Sequence, residues 1–238
     1  MSEPLVKAWR RLRSGGPVAL FGAGLRFLDH HYRDWLDGRV DRRFGIDTRG
    51  VQDDLAGLGA SGEHVAHAYG YEPIQIPIFH MIVRALPINP RDYDFIDYGA
   101  GKGRALVLAA EAGFRRMTGI EFAPALYAAA QENIARYRSV RAAAPPIELS
   151  CADASEYVLP ARNAVLFLYN PFDAYVMRKV LARIESGWRE HGCDWIVAYR
   201  NPDSAELLES RPFLYRIAKH RAFRIYRTRR DQLDLPNR

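Results

Sequence analysis

Four short stretches of this chain carry side chains suited to gripping a polar ligand, and they follow one another in order. The first is Asp97-Tyr98-Gly99-Ala100-Gly101-Lys102-Gly103. Glycines at alternating positions let a backbone turn sharply and approach a ligand where a Cβ would clash. A helix beginning at Gly103 offers free N–H groups to a carboxylate or another anion. Asp97, just before the turn, can accept a hydrogen bond from an ammonium group. The second is Glu121, about 20 residues beyond the glycine turn, a separation that suits a carboxylate holding both hydroxyls of a ribose. The third is Asp153-Ala154. Its carboxylate can accept from an exocyclic adenine amine, or it can cap a short helix over Ser155–Tyr157. The fourth is Tyr169-Asn170-Pro171-Phe172. The Asn170 amide oxygen and a free Pro171 carbonyl can hold a nucleophilic amine by its hydrogens while its lone pair faces an electrophile. A plain strand-to-helix turn is the alternative, because Asn-Pro favours turns.

The elements that must position these groups alternate strand, turn and helix from Asp92 onward. Strands are expected at Tyr93–Tyr98, Arg116–Glu121, Ile147–Ser150, Ala164–Tyr169 and Trp195–Tyr199. A closing antiparallel pair is expected at Phe213–Ala218 and Ala222–Thr228, although its link lacks the usual glycine. The helix over Gly103–Gly113 is apolar on nearly all sides, so it is buried against a sheet. Pro124 suits a first helical position, and Leu126, Ala130, Ile134 and Tyr137 keep helical spacing behind it. Asp173 can cap a helix whose stripe is Val176, Val180, Ile184 and Trp188. Alternating units of this length imply an α/β fold, a doubly wound, mostly parallel sheet of seven strands with helices on both faces. In such a sheet ligands bind at the carboxyl ends of the strands, near the point where strand order reverses. All four groups fall at those ends.

Residues 1–90 lack this alternation and are expected to form a helical N-terminal cap on the Rossmann-like domain of 91–238. Within the cap, Trp9–Arg13 and Gly24–Trp35 look helical, and Asp41–Gly50 looks like an irregular connection. From Tyr71 to Leu86, after the breakers Pro73 and Pro77, apolar residues recur at Ile78, Met81, Ile82 and Leu86 in helical spacing. A second glycine pair, Gly22-Ala23-Gly24, follows no strand and reads as helix packing.

Composition narrows the class. The 238 residues, 48% hydrophobic and 26% charged, suit a globular chain with a sizeable core. The apolar stretch Pro17–Leu28 contains Arg26 and is far shorter than the ~20 residues of a membrane span; no small-residue cleavage site follows it, so no signal peptide is expected. Cys151 and Cys193 have neither metal-ligand nor redox-motif spacing and are expected to be inert, buried in or near strands, which suits a cytoplasmic protein. The histidine pairs His30-His31 and His64/His67 have no companion ligands for a metal, so no metal site is expected. The net charge is +6. Arg211, Arg216, Lys219, Arg221, Arg224, Arg227, Arg229 and Arg230 form a late run with no acid among them, which permits nucleic-acid docking or reads as a solvated strand face.

The order and spacing of Asp97-x-Gly99-x-Gly101-x-Gly103, Glu121, Asp153-Ala154 and Asn170-Pro171-Phe172 resemble motifs I to IV of class I S-adenosylmethionine-dependent methyltransferases over Asp92–Tyr199. Phe44-Gly45-Ile46-Asp47-Thr48-Arg49-Gly50, Tyr71-x-Pro73 and Tyr169-Asn170-Pro171-Phe172 are similar to a bacterial group of that class whose acceptor is generally unassigned. A looser likeness is to protein-lysine methyltransferases of the Dot1 type. The resemblance implies a Rossmann-like methyltransferase fold and S-adenosyl-L-methionine as cofactor. Asp97, Gly99, Ala100, Gly101 and Gly103 would cradle its methionine part, Glu121 with Phe122 its ribose, and Asp153 with Ala154 its adenine, while Tyr71 would close on its carboxylate end. Tyr169, Asn170, Pro171 and Phe172 would form the catalytic end, with the displaced proton passing to Tyr169 or to solvent. Motif IV of amine methyltransferases usually carries a second proline, where Phe172 stands here. The acceptor is expected to be a nitrogen of a protein side chain or small molecule, with nucleic acid reached through the basic hairpin as the other option.

Three rival readings start from the same residues. A nicotinamide-dependent oxidoreductase wants glycine at the third slot of its fingerprint, where Arg104 stands, and a P-loop needs Ser or Thr after Lys102, where Gly103 stands. A non-enzymatic scaffold with the basic hairpin as a nucleic-acid surface would lose affinity steeply with salt, unlike a closed cofactor pocket.

Overall fold

The computed structural model describes residues 38–52, 54, 57–59, 67 and 69–229. The expected helices at Trp9–Arg13 and Gly24–Trp35 lie outside them, as do His30, His31 and His64. Seven strands form one sheet: β1 (Asp94–Tyr98), β2 (Arg116–Glu121), β3 (Ile147–Cys151), β4 (Ala164–Tyr169), β5 (Trp195–Arg200), β6 (Leu214–Lys219) and β7 (Phe223–Thr228). Their spatial order is β3-β2-β1-β4-β5-β7-β6. β1 to β5 pair in parallel. β7 enters antiparallel between β5 and β6, which leaves the earlier strand of the closing pair at the edge. Strand order reverses between β1 and β4, the switch point at which a doubly wound sheet opens a crevice.

The helices follow from their stripes. In α3 (Arg104–Glu111) every residue from Arg104 to Ala110 is buried, as an apolar helix between a sheet and its neighbours requires. α4 (Pro124–Val140) carries Pro124 in its first turn and buries Leu126, Ala130, Ile134 and Tyr137. The Asp173 carboxylate accepts the Tyr175 and Val176 N–H groups to cap α5 (Ala174–His191), whose expected stripe is buried. A short helix, α6 (Ala205–Glu209), was not expected, since one turn and a half leaves no periodic signal.

Before the sheet, α1 (38–44) runs into the stretch expected to be irregular, so residues 41–44 are helical. Gly45 ends it at φ +65°, and the Ile46 N–H bonds the Asp41 carbonyl at 3.0 Å. α2 (Ile76–Ala85) starts one residue before Pro77, which sits in its first turn as a starter and not as a breaker. Its buried face is Ile76, Phe79 and Ile82, while Met81, assigned to the stripe from spacing, points outward. The phase is set by Phe79, whose ring meets Phe95 of β1 at 5.8 Å and Phe167 of β4 at 6.1 Å. Phe44, Ile74 and Phe79 therefore share one core with α3 and the sheet. No helix among the described residues is long and apolar enough to cross a membrane. Both cysteines are free thiols, but Cys151 is exposed at the end of β3 and Cys193 half-buried, against the expectation of burial; a side chain on the outward face of an edge strand stays in solvent.

Candidate functional site

The glycine turn is built by backbone. Gly99 and Gly101 take φ +87° and +53°, a region that costs a side-chain-bearing residue roughly 1–2 kcal/mol. The Gly99 and Ala100 N–H groups both bond the Ile120 carbonyl at 2.9 Å, which locks the turn to the end of β2. A Cβ on Gly99 would stand 2.9 Å from the Pro171 Cβ, and one on Gly101 only 2.2 Å from the Tyr71 ring. Glycine is thus required at both positions by conformation and by close approach.

Glu121 closes β2 and is buried. Its Oε2 accepts the Gly101 N–H at 2.8 Å and its Oε1 the Ala123 N–H at 2.9 Å. Each oxygen keeps a further lone pair. Burial raises the Glu121 carboxyl above its ordinary range, and these N–H bonds partly oppose the rise. Asp97, next to the last residue of β1, is also buried, and burial together with the neighbouring Glu121 charge drives its carboxyl well above the ordinary carboxylate range. Two like charges buried side by side favour a bound cation over an empty crevice. Asp153 Oδ1 accepts the Ser155 N–H at 2.7 Å and closes a turn over residues 154–156, where the short helix that it was expected to cap does not form.

The catalytic end differs from expectation. The Pro171 carbonyl, expected to be free, accepts the Tyr69 N–H at 3.2 Å. The Asn170 side chain accepts the Tyr199 hydroxyl at 3.1 Å and donates to Asp203 at 2.8 Å. Both follow from neighbours that sequence spacing does not place. His67 and Tyr69 lie beside 171–173, where the Asp173 N–H also bonds the His67 carbonyl at 2.8 Å. Asn170, at φ +39°, turns toward the end of β5. Tyr169 is not the expected proton acceptor, because burial pushes its phenol up to about 12 and it stays protonated at neutral pH.

Thirteen of the fourteen residues chosen from sequence line one cavity at the carboxyl ends of the strands: Tyr71, Asp97, Gly99, Ala100, Gly101, Glu121, Phe122, Asp153, Ala154, Tyr169, Asn170, Pro171 and Phe172. Gly103 does not; it serves as the N-cap of α3 at φ +84°. Sequence reasoning missed Tyr69, Gly70, Glu72, Ile74, Arg104 and Asn201, which line the same cavity. Arg104 is buried, its Nε donating to Thr48 Oγ1 at 2.7 Å and its Nη1 to the Ile74 carbonyl at 3.3 Å. Its place in the failed third-glycine slot was the one signal it gave. Thr48 belongs to the Phe44–Gly50 stretch, which Asn133 clasps by accepting the Asp47 N–H at 2.8 Å and donating to the Asp47 and Lys102 carbonyls. The Tyr71 hydroxyl donates to the Thr48 carbonyl at 2.6 Å, and that bond holds its ring over Gly101.

His67 Nδ1 lies 2.8 Å from Asp173 Oδ2, so that histidine is tied to the cap of α5. Among the described residues no group of three or more His, Cys, Asp or Glu could hold a metal. Four residues of the late basic run meet acids: Arg216 and Arg224 share Glu209 at 2.6 and 3.0 Å, Arg211 meets Glu185 at 3.8 Å, and Arg227 pairs with Asp194. Arg230 lies outside the described residues.

No protein-family model matches the chain, and no curated protein matches it. Among solved structures it is similar to an RNA methyltransferase from Salinibacter ruber in complex with S-adenosyl-L-homocysteine, at 18% identity and TM-score 0.44 over 66% of this chain and 92% of that one. It is also similar to the 23S rRNA methyltransferase ErmE, at 14% identity and TM-score 0.44 over 66% and 69% of the two chains. Precorrin 8w decarboxylase from Methanobacterium thermoautotrophicum matches at 16% identity and TM-score 0.47 over 74% and 98%.

Proposed function

We propose that the cavity binds S-adenosylmethionine and that the chain transfers its methyl group to a nitrogen on a protein side chain or a small molecule. The observation that carries this reading is the convergence of Asp97, Gly101, Glu121, Asp153 and Asn170 on one cavity at the switch point of the sheet. The residues fit the cofactor on chemical grounds. The buried Asp97–Glu121 pair suits a ligand with a positive amino-acid end. The lack of a Cβ at Gly99 and Gly101 lets that end lie against backbone, and Asp153, Phe122 and Leu126 line the same cavity for a base.

In this mechanism Asp97 holds the ammonium and Glu121 takes the ribose hydroxyls on the lone pairs its backbone bonds leave open. Asp153 takes the adenine amine. When bound, the cofactor supplies an electrophilic methyl on a positively charged sulfur. Asn170 aligns the acceptor nitrogen by releasing the Tyr199 hydroxyl from its amide oxygen, and the lost proton goes to water, because Tyr169 already carries its own. Catalysis then rests on alignment and exclusion of water, with no obligatory acid–base pair. The strip Tyr69–Ile74, in front of the cavity, serves as the wall that excludes solvent.

The test is calorimetric titration with S-adenosylhomocysteine, paired with single-turnover methyl transfer. Equimolar binding is expected in the parent. Asn170→Ala keeps that affinity and lowers the transfer rate at least tenfold; equal losses in both would remove Asn170 from the reacting end.

A further inference from the structure

The acceptor end of the cavity carries a pattern that cofactor binding does not use. Glu72 lines it and is exposed to solvent. The Gln75 amide donates to the Glu72 carboxylate at 3.0 Å and to the Tyr169 hydroxyl at 3.3 Å, which holds the acid beside the phenol. Tyr69 and Tyr169 line the same end, and Tyr69 keeps 49% of its surface in solvent. Asp203 stands next to them on the Asn170 amide at 2.8 Å.

The cations at this end are already engaged. Arg200 lies 5.1 Å from the centre of the Tyr169 ring, and its guanidinium donates to Gln75 at 3.2 Å, to the Ala222 carbonyl at 3.0 Å and to Asn201. Arg200 thus already occupies one face of the Tyr169 ring. Arg104 donates inward to Thr48 and Ile74. The charged lining is therefore Glu72, Asp97, Glu121 and Asp153 against Arg104. Once Asp97 and Glu121 are ionised on the cofactor, the lining is acidic in a chain of net charge +6, which favours a cationic acceptor over a phosphate backbone.

Resting on the methyltransferase reading, we propose that the acceptor is a protonated aliphatic amine, recognised by the Glu72 carboxylate and by the rings of Tyr69 and Tyr169. A carboxylate beside aromatic faces is a cation site of two complementary kinds, a point charge and ring quadrupoles. A lysine side chain and a free alkylamine present the same ammonium. The reaction balances without a further reagent: the ammonium gives a proton to water and the nitrogen pair forms the N–C bond. The C–S pair returns to sulfur, and the product is a methylated ammonium and a neutral thioether.

The test uses the full chain with S-adenosylmethionine and three probes, a lysine-rich peptide, putrescine and total bacterial RNA, read by mass spectrometry. A second readout titrates the peptide and putrescine into protein saturated with S-adenosylhomocysteine. Methylation of an amine nitrogen, with RNA unchanged, is expected, and the arm that reacts separates a protein source from a free amine. Glu72→Gln should raise the amine KM and Kd roughly 5- to 20-fold and leave S-adenosylhomocysteine affinity at the parental value. RNA methylation with inert amines, or an unchanged KM and Kd in Glu72→Gln, overturns the inference. If S-adenosylhomocysteine binds and no amine reacts, this inference alone fails; if it does not bind, the methyltransferase reading fails with it.

Discussion

Replacing Gly101 with alanine tests the geometry of the glycine turn at one atom. The residue sits at φ +53°, where a Cβ costs roughly 1–2 kcal/mol. That Cβ would also fall 2.2 and 2.3 Å from two carbons of the Tyr71 ring. The ring is pinned by the 2.6 Å bond from its hydroxyl to the Thr48 carbonyl, so it moves only by giving that bond up, at a cost of about 1 kcal/mol. The sum is about 2–3 kcal/mol. A protein of this size shifts by roughly 2–4 °C per kcal/mol, so thermal unfolding should move down by roughly 4–12 °C. The Gly101 N–H would also leave Glu121, and S-adenosylhomocysteine affinity should fall at least tenfold. The double variant Gly101→Ala/Tyr71→Ala removes the ring and leaves only the backbone cost, so its loss should be smaller than the two single losses added. Differential scanning calorimetry and binding titrations on the four proteins measure this. Additive losses, or a Gly101→Ala protein with parental stability and affinity, would refute the reasoning.

Asp97→Asn should stabilise the ligand-free protein while abolishing S-adenosylhomocysteine binding. The folded-state carboxyl is raised by burial and by Glu121. Its stabilising contribution is therefore complete below the unfolded value, about pH 4, and is lost as pH rises through the folded value. The gain in melting temperature should accordingly appear at neutral pH and vanish in acid; a variant less stable at every pH contradicts it. Binding should also release protons, because a cation beside Asp97 and Glu121 favours their ionised forms. Affinity for S-adenosylhomocysteine should rise with pH from about 4 upward and level off above the raised values. Titrations in buffers of different ionisation enthalpy read the released protons directly, and a buffer-independent heat would count against the buried pair as the ammonium site.

The sequence spelled out the sheet most plainly where a parallel strand is a continuous apolar run and a helix has a capped start. Ala164–Tyr169 and the Asp173 cap are cases in which one local rule has a single reading. The site was legible for the same reason, since strand ends converge in a doubly wound sheet whatever the loops do. The remainder depended on contacts remote in the chain. The stripe of α2 was misphased because Ile78 and Met81 are as apolar as Phe79, and only the rings of Phe95 and Phe167 decide which face turns inward. The Pro171 carbonyl and Asn170 amide are held by Tyr69 and Tyr199, partners 102 and 29 positions away. Arg104 could be seen as a wrong residue for a dinucleotide fingerprint, but its role required Thr48, 56 positions earlier. The basic run looked free because its counter-charges, Glu185, Asp194 and Glu209, lie on other elements.

The most direct measurement is a crystal structure of the chain grown with S-adenosylhomocysteine. The ligand should span the crevice between β1 and β4, its ammonium on Asp97, its ribose on Glu121 and its adenine amine on Asp153. Ligand density elsewhere on the protein, or that crevice filled by ordered water at saturating ligand, would contradict the account.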